Sequence, residues 1–191
     1  MRICVFCASS DKVAPVYFEA AREWGRIMAG AGIELVYGGG SRGLMGALAD
    51  AVLAGGGSVE GIIPRFMHEV EWSHTGLTRL VLVDDMRERK RLMSSGVDAV
   101  VALAGGCGTL EELAEVITLK RLGQFTKPII ILNTNGLYDH LALLLEQMVG
   151  ERFMRSEHAQ MWTFVRTPAE VLPAIAAAKA WSAEAIGFAA V

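Results

Sequence analysis

The chain lacks most features that would tie it to a membrane, an extracellular space or a nucleic acid. Although 52% of its 191 residues are hydrophobic, no apolar run approaches the roughly 20 residues needed to cross a bilayer. The N-terminal stretch MRICVFCASS turns polar too early for a signal peptide. Cysteine is scarce: three residues, an odd number that fits a reducing compartment better than a disulfide framework, so a cytoplasmic location is expected. Cys4 and Cys7 have C-x-x-C spacing but lie in an apolar run that reads as a strand, where positions three apart face opposite sides. A redox pair is not expected there. Basic charge is neither dominant nor clustered, since 18 Lys and Arg stand against 21 Asp and Glu for a formal charge of −3. Nucleic acids and anionic membranes need a concentrated basic surface, which leaves a small molecule as the expected partner. His68, His74, His140 and His158 show no ligand spacing such as H-E-x-x-H and do not group with the cysteines, so no metal is expected. No G-x-S-x-G elbow is present, which argues against a serine hydrolase.

What remains is a regular alternation. Short β-branched runs (Ile3–Cys7, Ile33–Tyr37, Val59–Ile63, Leu80–Val83, Val97–Leu103, Pro128–Leu132 and Thr163–Val165) alternate with segments of helical period. Pro15 suits a helix start, and Gly30 and Gly32 suit its close. Arg65 to Thr78 is weakly patterned and reads as a short helix plus loop. The run from Val97 to Leu103 is nearly all apolar, as a strand covered on both faces should be. The pattern predicts one α/β domain over residues 1–181, a Rossmann-like, doubly wound and mostly parallel sheet with helices on both faces, and a loosely held tail over 182–191. Ligands of such folds bind at the carboxyl ends of the strands.

Two glycine loops fall at that edge. YGGGSRGLMG, from Tyr37 to Gly46, is neither a dinucleotide fingerprint, lacking an acidic residue at the end of a following strand, nor a Walker loop. ALAGGCGTLEEL, from Ala102 to Leu113, brings glycines to a helix mouth, where backbone N–H groups and the dipole favour an anion. Yet Glu111 and Glu112 follow within one turn. Thr109 and Glu112 have the S/T-x-x-E spacing of a capping box, in which Glu112 folds back on its own helix; as a functional group it would instead project into the cleft. Cys107 sits at the same helix start, where a thiol pKa tends to fall, but no histidine partner is evident and a small residue in a tight turn explains it. In DDMRERKRLM, Asp84 to Met93, the charge run reads as a solvated face. That helix also starts at a strand's carboxyl end, which would let Arg89 or Lys90 reach a phosphate or a ribose hydroxyl.

GGCGTLEE, from Gly105 to Glu112, resembles the PGGxGTxxE motif, and Met86 to Lys90 resembles the MHxRK element, of the LONELY GUY family of cytokinin riboside monophosphate phosphoribohydrolases, often mislabelled as lysine decarboxylases. The likeness extends to VFCASS, YGGGSRGLMG, GIIP and LGQFTKPIIILN, so it covers most of the chain. The resemblance implies hydrolysis of the N-glycosidic bond of a nucleoside monophosphate to a free base and ribose 5-phosphate, with no cofactor. It assigns Arg89 and Glu112 as the catalytic pair and Gly105, Gly106, Cys107, Gly108 and Thr109 as the phosphate loop. Glu71, Lys90 and Thr118 fall at substrate-contacting positions, with Ser9, Gly39, Gly40, Gly43 and Met45 as further candidates in the matching segments. It also implies a homodimer with active sites near the subunit interface. Ala104 replaces the motif's proline and Arg87 its histidine, departures able to shift substrate preference, so the expected substrates are AMP and/or a cytokinin riboside monophosphate, with activity on AMP the safer expectation.

On this reading the phosphate cradle and the carboxylate belong together. Glycosidic cleavage passes through an oxocarbenium-like ribose, so a nucleotide presents an anion at one end and a nascent cation a few bonds away. Two alternatives stand beside it. A nucleotide or molybdenum-cofactor carrier shares such loops but needs no Arg89–Glu112 pair. A pyridoxal-phosphate lysine decarboxylase needs a Schiff-base lysine, and Lys90 is the only lysine near the expected cleft.

Overall fold

The structure, a computed structural model, describes residues 1–69 and 72–189, without the Phe188 side chain. Strands β1 (Arg2–Phe6), β2 (Glu34–Tyr37), β3 (Val59–Pro64), β4 (Arg79–Val83), β5 (Ala99–Ala102), β6 (Ile129–Leu132) and β7 (Thr163–Val165) form one sheet in the order β4-β3-β2-β1-β5-β6-β7. All six pairings are parallel. Helices α1 (Pro15–Gly30), α2 (Gly43–Ala54), α3 (Arg65–Glu69), α4 (Met86–Ser94), α5 (Cys107–Arg121) and α6 (Asp139–Gly150) lie in the crossovers between strands, and α7 (Val171–Ala177) follows β7. Among the described residues no helix is long and apolar enough to cross a membrane.

Alternation along β1 sets the layers. Ile3, Val5 and Cys7 pack with Trp24, Met28, Leu44 and Leu48 on one face, whereas Cys4 and Phe6 join Met93, Leu113, Val116 and Tyr138 on the other. Cys4 and Cys7 therefore face opposite layers, as the period of two requires. The chain builds outward from β1 to β4, then returns to add β5 to β7 on the other side of β1. That reversal opens a crevice between the carboxyl ends of β1 and β5, and the segments following β1, β2 and β5 converge on it.

Two details bear on the sequence reading. Of the segment after Ser182, Ala183–Phe188 forms a 3-10 turn in contact with α5, Ala185 is buried, and Arg121 donates from Nε and Nη2 to the Ala189 carbonyl at 3.0 and 2.6 Å. The second concerns α5. Its N-cap is Gly106, so Thr109 lies inside the helix and no capping box forms.

Candidate active site

Each wall of the crevice follows from local chemistry. Asp85 caps α4, its Oδ1 accepting from the N–H groups of Arg87 and Glu88 at 2.8 Å, and these bonds hold its carboxyl below the usual range. The cap fixes the first turn of α4, and Arg89 leaves that turn toward the sheet. The residue is 8% exposed. Nε donates to the Ile62 carbonyl at 3.1 Å, Nη2 to the Gly38 carbonyl at 3.4 Å, and Nη1 to Glu112 Oε1 at 3.2 Å. Gly38 is required for this, because a Cβ there would collide with Nη2 and stand 3.2 Å from Cζ.

Glu112 enters from α5 and is 9% exposed. Burial raises its pKa, and the Arg89 guanidinium opposes that rise. Among the described residues its second oxygen has no hydrogen-bond partner, and Glu112 is the one carboxylate lining the cleft. The choice left open by the sequence is thereby decided: the side chain reaches across to α4 instead of folding back on its own helix.

The two glycine loops differ in what their amides do. At α2 the N–H groups of Leu44 and Met45 both donate to the Ala8 carbonyl, at 3.0 and 3.2 Å, so the protein itself uses them. At α5 the first-turn N–H groups have no intrahelical acceptor, and no side chain caps them. A Cβ on Gly106 or Gly108 would meet nothing within 4 Å, yet both residues line the cleft. Internal packing does not demand glycine at either place, which leaves room for a ligand to approach the backbone. Gly105 differs: its missing Cβ is what Thr109 packs against. The preceding segment is held by Tyr138, whose Oη donates to the Leu103 carbonyl at 2.8 Å.

The cleft has two lobes that share Ser9, Gly38, Met45, Met67 and Arg89. One, about 340 Å³, is lined by Gly106, Gly108, Thr109 and Glu112. The other, about 250 Å³, is lined by Gly40, Arg42, Ile63 and Trp72. Met67 and Trp72 come from the weakly patterned region, where no periodicity could signal a pocket wall; Arg42 and Gly38 were missed because only the glycine count of their loop was informative. Cys7 also lines the first lobe, and burial pushes its thiol pKa far up, which disfavours the thiolate.

Other candidates lie elsewhere. Gly39 and Gly43 have φ of +77° and +61° and serve the turn, not the lining. Lys90 faces away from the cleft, paired with Glu111 and with Glu115 at 3.0 Å, and these carboxylates raise its pKa. Thr118 is exposed, its hydroxyl donating to the Ala114 carbonyl. Cys107 is exposed beside the loop, and Glu71 lies outside the described residues. No group of metal-ligating side chains occurs among the described residues, and no lysine lines the cleft.

Comparison with known proteins adds the following. A family profile described as "Possible lysine decarboxylase" matches residues 45–175. A probable cytokinin riboside 5′-monophosphate phosphoribohydrolase of Oryza sativa, LOGL1, is 43% identical over 90% of this chain and 77% of its own length. A cytokinin riboside 5′-monophosphate phosphoribohydrolase of Arabidopsis thaliana, LOG2, is 44% identical over 81% of this chain and 73% of its own. Among solved structures, the molybdenum cofactor carrier protein of Chlamydomonas reinhardtii superposes with a TM-score of 0.71, covering 92% of this chain and 95% of that one. Its 19% identity speaks for a shared fold alone.

Proposed function

The chain belongs to the LONELY GUY family, and from that premise we propose that it hydrolyses the N-glycosidic bond of nucleoside 5′-monophosphates, AMP among them, to the free base and ribose 5-phosphate. The observation that carries the proposal is the buried Arg89–Glu112 pair standing one helical turn from an uncapped, glycine-lined helix mouth. The first-turn amides of α5 take the 5′-phosphate. Glu112 then faces the ribose, where positive charge develops as the bond from C1′ to the base breaks. Water adds at C1′, and its proton departs with the base.

Glycoside hydrolysis usually employs a pair of carboxylates; among the described residues lining the cleft Glu112 is one such group, and on this reading, ionised, it stabilises the cation and orients the water. Three of the Arg89 contacts are to protein groups, so its part is to hold Glu112 ionised and in place. The second lobe, with Met45 and Trp72, takes the base. The decarboxylase in the family's description finds no support: pyridoxal chemistry needs a Schiff-base lysine, and Lys90 is turned away into its own ion pairs. Subunit pairing near the cleft mouth, which the resemblance implies, and a cytoplasmic location belong to the same proposal.

Incubation with AMP and with isopentenyl-AMP, assayed for free base and ribose 5-phosphate, tests it. Glu112→Gln is expected to bind nucleotide and to lose about 10²- to 10³-fold in turnover, the usual loss when one transition-state contact is removed. No base released by the parent protein from any nucleoside monophosphate would refute the activity; parent-like turnover in Glu112→Gln would refute the role of the carboxylate.

A further inference from the structure

The wall of the second lobe is held in an unusual way. None of residues 72–76 is buried, so little apolar packing fixes the backbone that presents Trp72. Hydrogen bonds do so instead. The Trp72 carbonyl accepts from the Ser41 N–H at 3.0 Å, the His74 N–H donates to the Gly39 carbonyl at 2.9 Å, and Gly40 and Ser73 form an isolated antiparallel bridge. The segment thus lies as a short ribbon along the first glycine loop. Two side-chain bonds tie it to helices: His68 Nδ1 of α3 meets Ser73 Oγ at 2.8 Å, and His74 Nε2 meets Asp50 Oδ1 of α2 at 2.9 Å. The Gly76 N–H donates to His74 Nδ1 at 3.0 Å, so Nδ1 is the acceptor nitrogen and Nε2 carries the hydrogen given to Asp50. Asp50, His74 and Gly76 form a chain of bonds that closes the turn following Trp72 and pins it to α2.

We infer that His74 is a positioning residue for substrate selection, acting through the Asp50–His74–Gly76 chain to hold Trp72 against the base side of the cleft. This rests on the proposed function for the identity of the ligand, not for the latch itself. A backbone with little burial and solvent-facing hydrogen bonds opens at low cost, so each side-chain tie weighs in how the wall is held, and the His74 tie is the one that spans from the segment to α2. Phosphate and ribose contacts lie on α4 and α5, which the latch does not touch. Loosening it changes recognition of the base and leaves the ribose phosphate end alone.

The test combines kinetics with amide exchange. In His74→Ala, and separately in Asp50→Ala, the KM for AMP rises about fivefold, the effect of losing one partly exposed charged hydrogen bond, while kcat stays within about twofold. Inhibition by ribose 5-phosphate, which carries no base, is unchanged. Asp50→Asn retains an acceptor for Nε2–H and stays near the parent. The double variant is no worse than either single one, because both remove one interaction. Amide exchange at Ser41 and His74 accelerates in both alanine variants, and exchange in β1 and β5 does not. An unchanged KM, ribose 5-phosphate inhibition weakening in step with KM, or unaltered exchange at Ser41 and His74 would overturn the latch. If the parent releases no base from any nucleotide, the proposed function fails, and the exchange measurements still decide the latch.

Discussion

A single methyl group at Gly38 should disable the site without removing any charge. The Cβ of Gly38→Ala would stand well under 3.0 Å from Arg89 Nη2, a separation real Cβ atoms do not show, and 3.3 Å from Met45 Sδ. Positive φ does not occur at this glycine, so alanine brings no backbone strain and the whole effect is steric. Arginine ends usually step aside, but this one is buried and held from three directions, by Ile62, Gly38 and Glu112. Displacing it leaves Glu112 as a buried carboxylate without its partner. Breaking one side of a buried pair costs about 3 kcal/mol or more, and the open cleft lowers that by admitting water. A loss of about 2 kcal/mol in stability and about 10²-fold in kcat/KM is therefore expected. The pH profile gives a sharper signature. The proposed mechanism needs the ionised carboxylate, so it has activity falling as pH drops through the pKa of Glu112, which burial has already raised. Arg89 is what restrains that rise, and its displacement moves the acid limb to higher pH. The assay is kcat/KM for AMP against pH in the parent, Gly38→Ala, Arg89→Ala and the double variant. Once Arg89 is gone the methyl has nothing to displace, so the double variant should match Arg89→Ala alone. Parent-like activity with an unmoved acid limb in Gly38→Ala would refute the reasoning.

Two further predictions concern the scaffold. Lys120 is 1% exposed, its Nζ donating to the Lys127 carbonyl at 2.7 Å, and burial lowers its pKa from 10.5 to about 8. The unfolded chain then binds more protons between those values, so stability rises with pH through that window. Lys120→Met lacks this rise, and its stability relative to the parent should be about 2 kcal/mol more favourable at pH 7.5 than at pH 10 by urea unfolding; an equal difference at both pH values would contradict the burial argument. Tyr138→Phe frees the Leu103 carbonyl; it should cost about 1 kcal/mol and raise KM for AMP and Ki for ribose 5-phosphate together, since both share the phosphate loop. A change confined to one of them would exclude that coupling.

The amino-acid sequence by itself determined the layers and the edge of the sheet where chemistry sits. Periods of two and of 3.6 are local properties, so the strand runs were readable to within a few residues, and Pro15 and Gly30 marked the bounds of α1 as expected. The glycine loops were legible in the sequence itself, whereas Arg89 and Glu112, 23 residues apart, were joined only by the resemblance to the family's motifs. What spacing could not supply is direction. Thr109 and Glu112 fit a cap on paper, and only the start of α5 at Cys107, set by packing against β1 and β5, turned Glu112 across the crevice. Arg89 and Lys90 are neighbours in one charge run, yet one is buried against Gly38 and the other paired outside the cleft, because successive helix positions differ by 100° and the sheet lies on one side only. Likewise both helix mouths carry glycines, but the carbonyl of Ala8 occupies amides of α2, whereas no side chain caps those of α5. Trp72 carried no period, since hydrogen bonds to a distant loop hold its backbone in place, and Met67 sits in a five-residue helix too short to display one. Local pattern is written along the chain; the direction a charged side chain takes depends on neighbours that only folding brings together.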